Sequence, residues 1–271
     1  MADDWSSAIS KILLFQSVVT AYKTRYIITV NKNKEQKIME FLLDTVHIAD
    51  IKKYANIIPL SGVTSNPSIV KKEGKIDFFN HMKEIRSIIG NDATLHIQAV
   101  GQTTEAMIED AHTILENVDD NVYIKIPTNE AGLAAIKQLK AEGINITATA
   151  IYTKFQGYLA MTAGADYLAP YYNRMVNMNI DADEVIGALA DQIKRDNSKT
   201  KILAASFHTV QQVNSAFEMG AQAATMSADI LNTALTAPAI GAAVDNFTAD
   251  WEGIYGENST ISSLAKDSAL V

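Results

Sequence analysis

The sequence predicts an α/β protein of the (β/α)8 TIM-barrel class with an additional C-terminal helix. Eight short apolar segments alternate with segments in which apolar residues recur at helical spacing, and tight loops join them. Strands separated by helices pair in parallel, and eight such units over this length suit a (β/α)8 barrel. An open doubly wound sheet is the main alternative. It usually has a glycine-rich phosphate turn after its first strand, where this chain has Asp44-Thr45-Val46-His47.

The strands are predicted from runs of β-branched and aromatic residues with turn-forming residues at both ends. They are residues 40–44, 58–63, 93–100, 121–126, 144–150, 166–170, 201–206 and 223–226. The helices are predicted from apolar periodicity, from caps such as Thr103 and Asp181, and from stop signals such as Gly143. They are residues 48–56, 77–89, 103–115, 129–141, 153–163, 181–195, 209–219, 227–236 and 239–251. Residues 64–68 are predicted to form a turn-rich loop.

Three segments of the chain differ in character. Residues 1–38 carry more basic than acidic side chains, and we interpret them as an N-terminal appendage that arises from a leader, an upstream start or cloning. Residues 39–256 are predicted to form the barrel domain, and residues 257–271 a polar C-terminal tail.

The composition disfavours several classes of function. The formal charge of −8 argues against nucleic acid or an anionic membrane as partner. No apolar run reaches the roughly 18 residues of a membrane span. The chain contains no cysteine, which excludes thiolate metal sites and a cysteine nucleophile and fits a reducing cytosol. We therefore expect a cytoplasmic protein.

Lys125 is the residue around which the candidate site is organised. It lies inside an apolar segment of strand-forming residues, Asn121-Val-Tyr-Ile-Lys-Ile-Pro127. Burial of an ammonium group in such a segment costs free energy. Desolvation lowers a lysine pKa and leaves a neutral amine that attacks carbonyls. The plain alternative is a lysine that only extends its ammonium to solvent at a strand end.

Each predicted strand ends in a polar side chain. These residues are Asp44, Thr64 with Asn66, Gln98, Lys125, Thr149, Tyr171, Ser206 and Ser227. Active sites of barrels lie at the carboxyl ends of the strands, so a polar ring around one lysine favours catalysis by Lys125. His96, two residues before Gln98, is interpreted as a core histidine in preference to a proton relay.

Six motifs occur in order between Met39 and about Gly256. They are Leu42-Leu-Asp44-Thr, Gly62-Val-Thr-Ser-Asn-Pro-Ser68, Tyr123-Ile-Lys-Ile-Pro127, Glu130-Ala-Gly-Leu-Ala-Ala-Ile136, Gly164-Ala-Asp-Tyr-Leu-Ala-Pro-Tyr-Tyr-Asn-Arg174 and Ala204-Ala-Ser-Phe207. Together they resemble the small transaldolase and fructose-6-phosphate aldolase family.

The resemblance implies class I aldol chemistry without a metal or cofactor, and the five histidines show no ligand-spaced cluster. Lys125 would form an imine with a ketose, after which the C3–C4 bond breaks. Asp44 would steer protons at the lysine or hold ketose hydroxyls, and Thr149 would orient a water. Thr64 and Asn66 would hold the hydroxyls and the carbonyl-derived oxygen.

Gln98 and Tyr171 are similar to the aldolase branch, because transaldolases of the family carry glutamate and tend to carry phenylalanine there. A tyrosine hydroxyl near a water acts as acid or base, which phenylalanine cannot do.

The implied reaction is cleavage of fructose 6-phosphate to dihydroxyacetone and glyceraldehyde 3-phosphate, or its formation from them. A transaldolase and a non-catalytic sugar-phosphate binder are the alternative functions. A polar plug at Gln98 and a rim aromatic at Tyr171 are the plain alternatives.

The resemblance also implies a phosphate site. Arg174 and Ser206, with N–H groups of the helix after Phe207, would hold the phosphate of the sugar-phosphate substrate. An exposed salt bridge is the alternative for Arg174. Relatives usually have lysine or arginine at the position of His208, so weaker binding of the phosphate is expected here. Relatives of this size form rings of five that pair into ten, so the expected assembly is a homo-oligomer, a pentamer or a decamer.

Overall fold

The computed structural model describes residues 39–268. Within this range eight parallel strands close into a barrel in chain order, with the last strand beside the first. They are β1 (Glu40–Asp44), β2 (Gly62–Thr64), β3 (Thr94–Gln98), β4 (Val122–Pro127), β5 (Ile146–Ile151), β6 (Tyr167–Pro170), β7 (Lys201–Ala204) and β8 (Ala223–Met226). The predicted fold class is confirmed, and each predicted strand segment overlaps an observed strand.

Each strand is followed by at least one helix, and two further helices end the described part of the chain. The helices are α1 (Ile48–Ile57), α2 (Pro67–Glu73), α3 (Phe78–Ile89), α4 (Thr104–Asn117), α5 (Glu130–Ala141), α6 (Lys154–Thr162), α7 (Tyr172–Asn177), α8 (Ala182–Arg195), α9 (Val210–Glu218), α10 (Ala228–Leu235), α11 (Pro238–Tyr255) and α12 (Ile261–Ser268). None of these helices, over the part of the chain described, is long and apolar enough to cross a bilayer. The predicted appendage 1–38 lies outside the described residues, and α12 lies within the predicted polar tail.

Helix α2 corrects the prediction of a loop over 64–68. The Asn66 Oδ1 atom accepts hydrogen bonds from the Ser68 and Ile69 N–H groups at 3.0 and 3.1 Å. Pro67 occupies the first turn of the helix, where its fixed φ fits and its missing N–H costs nothing. The turn-forming residues of this segment therefore start a helix, and they place its first turn beside the strand ends.

The apolar core has two parts, because side chains alternate between the two faces of each strand. Outward-facing residues such as Leu43, Ile97 and Ile124 are fully or almost fully buried under the helices. A smaller cluster that contains Leu42 and Leu203 fills the barrel interior. Lys125 alternates with outward-facing neighbours and therefore points into the barrel.

A polar layer also lies in the barrel. The His96 ring, fully buried, has its two nitrogens 2.7 and 2.8 Å from the Thr147 and Thr94 hydroxyls. It stacks on Tyr123 with ring centroids 4.9 Å apart and meets the edge of Tyr167. Burial, with Lys125 nearby, holds the pKa of His96 well below its usual value, so the ring is neutral. These contacts fit the interpretation of a core histidine.

Gly132 allows α5 to begin directly after the strand of Lys125. A Cβ atom at this position would lie 1.8 Å from the Pro127 carbonyl oxygen, far inside van der Waals contact. The Asn129 side chain caps the same turn by accepting from the Gly132 N–H at 2.8 Å. The absence of a side chain at Gly132 therefore fixes how closely α5 approaches the end of β4.

Candidate active site

The Lys125 ammonium lies inside the barrel with only 4% of the residue exposed. Its Nζ donates a hydrogen bond to the Ser65 carbonyl oxygen at 2.9 Å. Burial lowers the pKa of Lys125 below the usual lysine value, and the nearby Asp44 carboxylate opposes this shift without cancelling it. The lysine is thus easier to deprotonate than one in water, as an amine nucleophile requires.

Asp44 ends a chain of hydroxyl groups that links three strands. The Thr64 hydroxyl donates to Asp44 Oδ1 at 2.6 Å, and it lies 2.7 Å from the Thr225 hydroxyl. Because Thr64 gives its only hydrogen to Asp44, Thr225 must donate to Thr64. Burial raises the pKa of Asp44, while Lys125 and the Thr64 hydrogen bond act in the opposite direction. The Thr64 hydroxyl is fully buried and engaged by Asp44 and Thr225, which differs from the expectation that it holds a substrate oxygen directly.

Thr225 is a site residue that the sequence did not reveal. It is the third residue of the short strand β8 and is 2% exposed. Its position one residue before the predicted strand end turns its side chain inward. The alternation of side chains along the strand is the only sequence signal that could have indicated Thr225, because its neighbours in sequence are apolar.

The Tyr171 hydroxyl accepts a hydrogen bond from the Thr149 hydroxyl at 2.9 Å. Burial raises the pKa of Tyr171, so the phenol is neutral and keeps its own hydrogen for another acceptor. The Arg174 guanidinium lies 4.7 Å from the centroid of the same ring. Ala150, directly after Thr149, has φ +57°, and the pairing of β5 with β6 shifts there. This irregularity in the pairing changes the direction of the backbone at the end of β5.

Gln98 carries a buried oxygen, Oε1, for which no hydrogen-bond partner exists among the described residues. A buried acceptor without a donor destabilises the protein. Gln98 lines a cavity of about 310 Å³ together with Ser65 and Asn66. The Oε1 atom itself has almost no accessible surface, so the cavity meets other atoms of Gln98.

Asn66 lines both this cavity and a larger one. Its Oδ1 caps α2, so its amide oxygen is engaged by the protein backbone. The Nδ2 group has no acceptor in the described part of the chain and remains able to donate to a ligand oxygen. Asn66 thus carries an unused amide donor and lines both cavities.

The larger cavity has a volume of about 470 Å³, and the predicted site residues not yet described line it. Asp44 and Asn66 line it beside Arg174, Ser206 and Ser227. The positions Lys125, Thr149, Tyr171 and Gln98 do not line it. The Lys125 amine therefore lies deeper in the barrel than the larger cavity, and Asp44 lies between them.

The expected phosphate end shows one difference from the sequence-based expectation. The His208 N–H, one of the groups expected to bind phosphate, donates to Gln212 Oε1 at 2.7 Å, and Gln212 Nε2 donates to Asn173 Oδ1 at 2.9 Å. Ser206 has φ +63°, a strained conformation for a residue with a side chain. Arg174 makes a 3.4 Å contact with the Tyr152 hydroxyl instead of a carboxylate. The guanidinium is thus not neutralised by a described acidic residue.

Comparisons with known proteins identify the family of the chain. The family model described as Transaldolase/Fructose-6-phosphate aldolase matches residues 41–263. A curated protein named probable fructose-6-phosphate aldolase, from Streptococcus pneumoniae (strain ATCC 700669 / Spain 23F-1), is 53% identical over 221 residues. This alignment covers 82% of the present chain and 100% of the relative. The chain belongs to the transaldolase/fructose-6-phosphate aldolase family.

Proposed function

We propose that this protein is a class I aldolase that cleaves fructose 6-phosphate into dihydroxyacetone and glyceraldehyde 3-phosphate and catalyses the reverse condensation. The observation that carries the proposal is the buried residue Lys125, 4% exposed, whose amine has a lowered pKa and lies near the Asp44 carboxylate. The name of the pneumococcal relative supports fructose 6-phosphate as the substrate.

The chemistry begins with attack of the neutral Lys125 amine on the C2 carbonyl of the ketose. Loss of water gives a protonated imine, which is an electron sink. A base removes the C4 hydroxyl proton, the C3–C4 bond breaks, and its electrons move into the imine to give an enamine. Glyceraldehyde 3-phosphate leaves, the enamine takes a proton at C3, and water hydrolyses the imine to release dihydroxyacetone and the free lysine.

The surrounding groups divide the remaining tasks. Asp44 carries protons to and from the amine, and Thr64 holds it in position. Tyr171, positioned by Thr149, donates its proton to the aldehyde oxygen in the condensation direction and recovers it in cleavage, directly or through a water. We assign contact with a donor hydroxyl or with that water to the Gln98 side chain, because Gln98 pairs with Lys125 in the sheet.

The phosphate of glyceraldehyde 3-phosphate binds at Arg174 and Ser206 in the larger cavity, because the guanidinium has no carboxylate partner among the described residues. No cofactor or metal takes part in the proposed reaction.

We further propose that the protein acts in the cytoplasm as a homo-oligomer, a pentamer or a decamer. The resemblance to the family supports this assembly, and size-exclusion chromatography with light scattering tests it.

The test is an assay of two reactions by the same preparation. Free dihydroxyacetone is measured after incubation with fructose 6-phosphate, with and without erythrose 4-phosphate as acceptor. The proposal predicts that release of dihydroxyacetone exceeds transfer to the acceptor. Transfer exceeding free cleavage would identify a transaldolase, and binding without either reaction, unchanged in Lys125→Ala, would identify a sugar-phosphate binder.

A further inference from the structure

The larger cavity contains a second cationic side chain that the proposed mechanism does not use. Lys72 on α2 lines it, as does Arg174 on α7. Asp44 and Asp229 are the acidic lining residues, and Asp44 is already engaged by Thr64. Two cations from different helices thus reach one cavity whose substrate carries a phosphate.

The charge of Lys72 is not neutralised by a described residue. Four other lysines have a carboxylate within salt-bridge distance in this part of the structure: Lys52, Lys140, Lys154 and Lys201. Within residues 39–268, Lys72 has neither an ion pair nor a hydrogen bond through its side chain. Its ammonium is nevertheless close enough to Asp44 to act against the rise in the pKa of that carboxyl. The positive charge is therefore directed toward the cavity and is available to an anionic ligand.

Stabilisation of α2 is the competing explanation for this lysine. Lys71 and Lys72 both lie in the last turn of α2, where a cation interacts favourably with the helix dipole. The two lysines face different spaces, because Lys71 lines the smaller cavity and Lys72 the larger one. A dipole effect is shared by both residues, whereas an effect on a ligand in the larger cavity belongs to Lys72 alone.

We propose that Lys72 is a specificity-determining residue that, with Arg174, favours phosphorylated acceptor aldehydes over neutral ones. The ammonium is a strongly hydrated point charge on a flexible stem, so it supplements the bidentate guanidinium without replacing it. This inference rests on the proposed aldolase function, since it concerns the acceptor of that reaction. It explains a cationic side chain that neither the imine chemistry nor the pairing of surface charges requires.

The experiment compares Lys72→Gln with the matched control Lys71→Gln in the condensation of dihydroxyacetone with two acceptors. Glyceraldehyde 3-phosphate carries the charge, and glyceraldehyde lacks it. Exposed ion pairs are weak, so Lys72→Gln is expected to raise the KM for the phosphorylated acceptor by roughly two- to five-fold. The KM for glyceraldehyde and kcat with either acceptor stay unchanged, and Lys71→Gln changes neither KM. The effect of Lys72→Gln declines at high salt, because ions screen exposed charges.

An equal change in KM for both acceptors, an equal effect of Lys71→Gln, or an unchanged preference in Lys72→Gln would overturn the assignment. The melting temperatures of the two variants show whether either substitution acts through folding. Failure of the underlying function is separately visible, because a borohydride-trapped adduct of dihydroxyacetone on Lys125 needs neither acceptor nor phosphate. Its absence in the unmodified protein removes the aldolase proposal and this inference together. Its presence with an unchanged acceptor preference removes the role of Lys72 alone.

Discussion

The Lys125 Nζ lies 2.9 Å from the Ser65 carbonyl oxygen, and an N–H of the amine donates to it. This bond uses a hydrogen and leaves the lone pair of the neutral amine unshared. It fixes a flexible side chain at a backbone atom immediately after β2, the strand that contributes Thr64. In the proposed reaction the amine is therefore positioned before a substrate arrives, which reduces the entropy lost on reaching the reactive geometry.

The pH dependence of imine formation follows from this environment. Burial lowers the pKa of Lys125, so the reactive amine is expected to appear with a midpoint below 10.5, the usual value. The Asp44 carboxylate stabilises the ammonium and raises that pKa, so Asp44→Asn is expected to move the midpoint further down. The measurement is the rate of reductive adduct formation with dihydroxyacetone at the Lys125 peptide, as a function of pH. A midpoint that moves up in Asp44→Asn would contradict this electrostatic coupling.

Thr225 is expected to act on Asp44 through Thr64. Thr225→Val removes the donor to Thr64, weakens the hydrogen bond that favours the charged carboxylate, and so raises the pKa of Asp44 further. The expected result is an acidic limb of the pH–rate profile that moves to higher pH. The rate falls by about three- to ten-fold, as for one lost hydrogen bond of about 1 kcal/mol.

Thr225→Ser keeps the hydroxyl and is expected to restore the profile. The matched control is Thr200→Val, because that hydroxyl is also buried and donates at 2.9 Å to the Ala165 carbonyl, away from the site. An identical pH shift in the control variant would show that the effect of Thr225 is one of general stability.

Tyr171→Phe separates proton transfer from imine formation. The substitution removes the hydroxyl that Thr149 positions, so kcat for cleavage is expected to fall by roughly 10²–10⁴-fold. Trapping of dihydroxyacetone on Lys125 should persist, because that step needs the amine. Tyr152→Phe is the control, since the Tyr152 ring meets the Tyr171 ring edge-on and its hydroxyl lies 3.4 Å from Arg174. A similar loss of kcat in both variants would argue against a specific role for the Tyr171 hydroxyl.

Gly132→Ala is expected to destabilise the barrel at the end of the catalytic strand. The new methyl group would overlap the Pro127 carbonyl oxygen, and such overpacking costs about 1–3 kcal/mol or more in the free energy of unfolding. Gly187→Ala on α8 is the control, because the nearest atom to its Cβ is the Met219 sulfur at 3.9 Å. There alanine is expected to stabilise the helix by about 0.5–1 kcal/mol. Denaturant unfolding measures both, and equal effects would show that the close contact at Gly132 is relaxed at no cost.

The sequence predicted the barrel well because the signal repeats eight times. Each unit combines a short β-branched run with a helix of 3.6-residue period, and errors at single boundaries do not alter the topology. Short helices were missed. Residues 67–73 and 172–177 contain few periodic positions, and α2 exists because Asn66 caps it and Pro67 fits its first turn.

The candidate site was predicted as a set of strand ends, and its internal contacts were not. Alternation along a strand shows which face a residue occupies, but it does not show which residue of a distant strand it meets. The contacts of Thr64 with Thr225 and of Lys125 with Ser65 join residues 161 and 60 positions apart. The engagement of the His208 N–H by Gln212 likewise depends on a side-chain conformation that no motif specifies.

The most direct test of the account is borohydride trapping followed by peptide mass analysis, with Lys125→Met as the control. The protein is incubated with fructose 6-phosphate or dihydroxyacetone and then reduced. One stable adduct is expected, confined to the peptide that contains Lys125, and none in a folded Lys125→Met variant that also lacks turnover. No adduct with either ketose, or measurable turnover in Lys125→Met, would contradict imine chemistry at this lysine.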